Sequence, residues 1–197
     1  MTVKFKMKPT RVVGLTYAHS PKRQGASHDG VTEHELSIKW IDQIQMELAM
    51  LGIPSVLAPK GGLTKKINFL NKSKVDVGLE LHFNSNINVK GSETLYCPGS
   101  NPGRRLAQCV HAAYSPWCCN RDRGTKEGWY RMDKPGVVDY PGDVDGDESM
   151  LAFLRKTNFP AIILEPEFIY NVEDINNMQD VVCKHIARGI FDYLRLM

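Results

Sequence analysis

Three short apolar runs, each carrying near its end a residue type that can ligate a metal or move a proton, constrain this chain more than any other feature. Residues 11–17 (RVVGLTY) are followed two positions later by His19, residues 75–83 (VDVGLELHF) carry His82, and Ala161–Glu165 (AIILE) closes on a carboxylate. Runs this short and apolar, bounded by polar segments, read as buried strands. Between the first two the period changes: Leu36, Trp40, Ile41, Ile44, Leu48 and Leu51 recur at three- and four-residue steps. That spacing places one apolar stripe on a helix beginning near Glu33, and Gly52 is positioned to end it in a left-handed turn.

The rest of the chain continues the alternation. Residues 53–58 and 93–97 read as further strands, residues 63–72 as a helix with Ile67 and Leu70 inward, and residues 18–32 as a loop. Asn101-Pro102 has the chemistry of a helix cap followed by a first-turn proline, opening a helix to about Tyr114. A terminal helix over 172–194 carries Ile175, Met178, Val182, Ile186, Ile190 and Tyr193. Strands alternating with helices predict an α/β fold, a three-layer sandwich with a mainly parallel central sheet flanked by helices. With 197 residues and no linker-like stretch, one domain over 1–197 is expected. Residues 124–150, rich in Gly and Pro, read as a long excursion that could form a lid.

Composition narrows the function. The net charge is +3, divided as +5 over residues 1–100 and −2 over 101–197, with a pI near 8.5. Nucleic-acid binders carry a denser basic footprint, so no nucleic-acid partner is expected, and the Lys65-Lys66 and Arg104-Arg105 pairs read as solvated helix faces. No apolar stretch approaches the roughly 20 residues that span a bilayer. The first nine residues interleave lysine with apolar side chains and lack a signal-peptide core, an expectation of synthesis in the cytoplasm. Five cysteines without a C-x-x-C pair predict free thiols.

In parallel sheets the ligand crevice lies beyond the carboxyl ends of the strands. Three strands would therefore bring His19, His82 and Glu165 to one rim, within reach of Glu33 at the start of the first helix. Two imidazoles and one carboxylate form a known catalytic zinc set that leaves a position for water. A further, unligated carboxylate can move the proton. Each residue also has an ordinary reading: a strand-end His as a hydrogen-bonded loop residue, a helix-start Glu as a dipole partner. A carboxylate ending Ala-Ile-Ile-Leu is harder to dismiss, because its burial costs free energy unless it is paired.

Four segments in order resemble the zinc-dependent N-acetylmuramoyl-L-alanine amidases of the amidase_3 type, found in bacterial autolysins and phage endolysins. They are His19 with Gly25-Ala26 and Gly30-Val-Thr-Glu33; Leu81-His82-Phe-Asn84-Ser85; Gly91-Ser-Glu-Thr-Leu-Tyr96 with Arg123-Gly124-Thr-Lys126; and Pro160-Ala-Ile-Ile-Leu-Glu165-Pro-Glu-Phe168-Ile-Tyr-Asn171. The resemblance implies one zinc ion held by His19, Glu33 and His82 at the C-terminal ends of the strands, with Glu165 as catalytic acid/base. Asn84, Arg123 and Lys126 lie in the matched segments and are candidate substrate-binding residues, with Glu167 a further candidate outside the family pattern. The implied reaction is hydrolysis of the amide between N-acetylmuramic acid and L-alanine in peptidoglycan. No separate wall-binding domain is expected, and an unexported chain would reach the wall as a phage lysin does.

Departures from the family pattern are also present. Ser20-Pro21 stand where the family places Gly-Gly, and Glu167 stands at a usual Gly, where it either sets a like charge beside Glu165 that could raise one pKa or, the favoured reading, points into solvent. Glu35 is an alternative to Glu33, and His28 and His34 lie close enough to be mistaken for ligands. His111 and His185 read as structural, residues 143–148 as a solvated acidic loop, and Trp117, Trp129 and Tyr130 as stacking or core aromatics. Two rival functions remain at this point: a zinc carboxypeptidase or deacylase acting on a soluble peptide, and a non-catalytic wall-binding module.

Overall fold

A computed structural model describes residues 11–128 and 152–197. Along the chain run β1 (Val13–Tyr17), β2 (Ser27–His28), β3 (Val31–Thr32), α1 (Glu33–Met50), β4 (Ser55–Leu57), α2 (Leu63–Lys72) and β5 (Val77–Leu81). There follow β6 (Ser92–Tyr96), α3 (Asn101–Tyr114), a 3-10 turn (Ser115–Trp117), β7 (Asp122–Glu127), α4 (Ala152–Lys156), β8 (Ala161–Glu165) and α5 (Val172–Leu196). Six strands form one sheet in the order β4-β1-β5-β8-β6-β7. The first four are mutually parallel, β6 runs antiparallel to β8, and β7 is parallel to β6. The expected mainly parallel α/β sandwich is the fold observed.

Alternation along the strands divides two cores. Val13, Leu15 and Tyr17, Val77, Leu79 and Leu81, and Ile162 and Leu164 pack with α1, α3 and α5. Ala161 and Ile163 face the other way, onto α2 and α4 through Ile67, Leu70, Phe153 and Leu154. Helix α5 is buried along the predicted stripe, and at Gly189 it lies so close to α3 that a Cβ would sit 2.6 Å from Val110 Cα.

The start of α1 is fixed from both sides. Thr32 accepts a hydrogen bond from the Glu35 amide while the Glu35 carboxylate accepts from the Thr32 amide, a reciprocal cap. Just before it, the loop expected over 18–32 contains the β2–β3 hairpin, turned by Asp29 and Gly30, both at positive φ. Gly52, φ 73°, ends the helix as its position predicts.

Several expectations are corrected. Ser100, not Asn101, caps α3, its hydroxyl accepting from the Gly103 amide, so Asn101 and Pro102 occupy the first turn. The segment read as an excursion from Gly124 begins instead within β7, because Thr125 and Lys126 pair with Thr94 and Leu95. The remainder of the expected lid, with Trp129, Tyr130 and the acidic 143–148 stretch, lies outside the described residues, as do residues 1–10. Lys66 is not a solvated helix lysine: it is 1% exposed and donates to two carbonyls and a carboxylate. All five cysteines are free, as expected, and burial pushes the Cys118 thiol up to about 12. Among the described residues no helix is long and apolar enough to cross a membrane.

Candidate metal centre and active site

Glu33 is the centre of the site. As the first residue of α1 it is buried, and each carboxylate oxygen holds one imidazole: Oε2 lies 2.7 Å from His19 Nε2, and Oε1 lies 2.8 Å from His82 Nδ1. The Phe83 amide also donates to Oε1 and the Ala26 amide to Oε2. Burial pushes this carboxyl up, but the two imidazoles outweigh it and hold the group well below the usual carboxylate range. His82 moves the opposite way: burial pulls it down, but Glu33 and Glu80 hold it well above an ordinary histidine.

The donor atoms of His19, Glu33 and His82 lie within 4.8 Å of one another, close enough to hold a metal ion. Their chemistry fits zinc, which accepts two imidazoles and a carboxylate. The backbone is shaped around them. His19 itself has φ 55°, a left-handed conformation uncommon for a residue with a Cβ. Gly25, φ 73°, is the wall of the cradle: a Cβ there would fall 2.4 Å from His19 Nε2 and 2.6 Å from Glu33 Oε2.

Glu165 reaches the same rim through sheet register. Leu164 pairs with Leu81, and the His82 amide donates to the Leu164 carbonyl, so Glu165 and His82 occupy adjacent positions at the strand ends. Glu165 is buried, and its Oε2 has no hydrogen-bond partner among the described residues. Burial raises its proton affinity well above that of an ordinary glutamate. His82 opposes the rise, and Glu33, Glu93 and Glu80 add to it.

The expected substrate residues divide. Asn84, Arg123 and Lys126 gather on one carboxylate, Glu93, which accepts from Asn84 Nδ2 at 2.7 Å, Arg123 Nε at 2.9 Å and Lys126 Nζ at 2.5 Å. Glu167 does not join them and does not point into solvent. It is fully buried, accepting from the amides of Gly91 and Phe168 and from Asn120 and Asn171. A carboxylate with four donors ties three loops together beneath the rim; the backbone amides that satisfy it could not be foreseen from residue types.

Neighbouring candidates separate as clearly. Glu35 is exposed in the helix cap, leaving Glu33 as the glutamate that meets the imidazoles. His34 Nδ1 bonds the Ala18 carbonyl and its ring edges against Tyr17. His28 faces Asp29 and Tyr170. His111 is buried between Thr94 and Asp122, and His185 stacks on Trp117 at 4.4 Å. The sequence reading missed Glu80, Lys66 and the hub role of Glu93; the period-two spacing of Glu80 and His82 on one strand was the available signal.

A mainly parallel α/β domain that carries at its strand ends a His-Glu-His cluster able to hold a metal ion, beside a buried carboxylate, has the framework of a hydrolase. The chain belongs to the Amidase_3 family, N-acetylmuramoyl-L-alanine amidase, whose model matches residues 13–195. It is 23% identical to the N-acetylmuramoyl-L-alanine amidase LytC of Bacillus subtilis (strain 168) over 92% of this chain, spanning 35% of that longer protein. The N-acetylmuramoyl-L-alanine amidase of Clostridium difficile 630 shares its fold with TM-score 0.78 and 22% identity, over 95% of this chain and 98% of that one. So does the catalytic domain of the CD27L endolysin targeting Clostridia difficile, at TM-score 0.69 and 22% identity over 92% and 97%.

Proposed function

We propose that this chain is a zinc-dependent amidase that hydrolyses the amide between the lactyl group of N-acetylmuramic acid and L-alanine in peptidoglycan. One observation carries the reading: Glu33 engages His19 and His82 with its two oxygens, while Glu165 stands buried beside His82 with one oxygen unpartnered among the described residues. His19, Glu33 and His82 would hold one zinc ion per chain. Bound zinc polarises a carbonyl and lowers the pKa of a water from about 15.7 toward about 7.

Glu165 moves the proton. Its carboxylate takes a proton from the attacking water, and the resulting acid gives it to the departing L-alanine nitrogen. The carbonyl carbon gains oxygen as the C–N bond breaks, leaving a lactyl carboxylate and a free amine. Burial suits Glu165 to this exchange by raising the proton affinity of its carboxylate. Asn84, Arg123 and Lys126, held by Glu93, would orient the substrate, whereas Glu167 would act only by fixing the loops.

Purified chain incubated with peptidoglycan should release free N-terminal L-alanine without new reducing sugar, lose this activity to a chelator and regain it with zinc. New reducing ends would overturn the reading. Cleavage confined to soluble peptides would make the chain a carboxypeptidase or deacylase, and wall binding without product a binding module. The reading extends to a phage endolysin, supported by the fold shared with an endolysin catalytic domain. Expressed in a host, such a chain lyses cells when a membrane-perforating protein is co-expressed; lysis without one would place it with exported autolysins.

A further inference from the structure

Beneath the metal cluster lies a buried ion pair that the reaction above does not use. Lys66 on α2 and Glu80 on β5 are each about 1% exposed, with Lys66 Nζ 3.3 Å from Glu80 Oε1. Lys66 also donates to the carbonyls of Tyr17, at 2.6 Å, and His19, at 3.1 Å. The other Glu80 oxygen, Oε2, faces His82 Nε2 at 3.4 Å, and neither atom has a hydrogen-bond partner among the described residues. One lysine thus grips the backbone that carries the first imidazole, and its carboxylate partner stands behind the second.

Stability alone does not account for such a pair. Withdrawing two charges from water costs about as much as their attraction returns, and an apolar pair of similar volume often does as well or better. Orientation does account for it. His82 can use either ring nitrogen, and the nitrogen that carries the proton is decided by what faces the other side of the ring.

We propose that Glu80, held by Lys66, is a positioning residue whose Oε2 accepts a hydrogen bond from His82 Nε2–H and so turns Nδ1 toward Glu33 and the metal position. Lys66 fixes the separation of the two imidazoles by holding the His19 carbonyl at the same time. The inference rests on the zinc reading of the site. Carboxylates behind metal-bound histidines typically change metal affinity 10- to 100-fold when lost, which sets the size of the effect.

The test is zinc affinity by chelator competition on the parent and Glu80→Gln, with the thermal midpoint of each metal-free protein measured alongside. Glu80→Gln should fold with a lowered metal-free midpoint, because Lys66 loses its buried counter-charge, and the folded variant should bind zinc about 10- to 100-fold more weakly. In the zinc-loaded parent the His82 Nε2–H should give a slowly exchanging proton resonance, which the variant loses. Zinc affinity within twofold of the parent overturns the proposal, and so does an unchanged Nε2–H resonance. Should Glu80→Gln not fold, Lys66→Met/Glu80→Leu removes both charges and is held to the same outcomes. A parent that takes up no zinc sinks the amidase reading instead, so the two failures are distinguishable.

Discussion

Glu93 and Glu165 stand directly opposite each other across the antiparallel β6–β8 pair. Both are buried glutamates, yet their surroundings drive them apart. Burial raises Glu93 too, but Lys126 and Arg123 outweigh it and hold the group below the usual carboxylate range. Glu165 is raised by burial, which His82 opposes without outweighing. Paired titratable groups pushed in opposite directions mark the division of labour in an acid–base site. Glu93 is the anion that gathers Asn84, Arg123 and Lys126, and in the proposed reaction Glu165 is the group that exchanges a proton.

Glu165→Gln preserves the shape of that position and removes its titration. It should bind zinc and peptidoglycan as the parent does while turnover falls by about 10²- to 10⁴-fold, the usual contribution of a general acid–base. Steady-state release of L-alanine measures this. Parent-level turnover would end the assignment of the acid/base.

The ligand set is tested by metal content. His82→Ala removes one of three donors and should reduce bound zinc well below one per chain by elemental analysis. Glu35→Ala should weaken the α1 cap, because the Glu35 carboxylate accepts from Thr32, yet leave zinc content untouched. A full complement of zinc in His82→Ala, or its loss in Glu35→Ala, would contradict the placement of the centre on Glu33.

Much of this site was legible in the sequence because strand ends are legible. RVVGLTY, VDVGLELHF and AIILE each announce a buried strand, and parallel strands deliver their last residues to one rim. The helix stripe from Leu36 to Leu48 likewise located Glu33 at a helix start. What stayed hidden depends on partners distant in the chain. Lys66 reads as a surface lysine until Glu80 and the carbonyls of Tyr17 and His19 are brought to it. Glu167 reads as a solvent carboxylate until Gly91, Asn120 and Asn171 converge on it. Strand β7 contains Asp122-Arg-Gly-Thr-Lys-Glu127, with no apolar alternation, because it is an edge strand whose side chains are mostly half-buried or exposed.

Gly25 is tested by a single methyl group. At φ 73° any other residue carries a left-handed penalty of about 1–2 kcal/mol, and a Cβ here would also lie 2.3 Å from His19 Cδ2. Gly25→Ala should therefore lose stability by at least that amount and bind zinc more weakly, since His19 must retreat from Glu33. Denaturant titration and chelator competition read the two effects. Gly52→Ala, also at φ 73° but with open space around its Cβ position, should lose stability alone, separating backbone strain from displacement of the ligand.

The cluster on Glu93 predicts how stability responds to acid. Because the folded protein holds this carboxyl below its ordinary value of 4.5, the native state favours the ionised form more than the unfolded chain does. Its stabilising contribution is therefore full above about pH 4.5 and is lost as pH falls from there through the lowered native value. Lys126→Met removes one of the two cations; with Lys126 44% exposed, solvent screening limits the cost to at most about 1 kcal/mol at pH 7. The gap between variant and parent in denaturant midpoint should close as pH is lowered and Glu93 becomes protonated in both. A gap that persists unchanged once Glu93 is neutral would mean that Lys126 contributes through packing of its stem, and that Arg123 alone fixes the carboxylate facing Glu165.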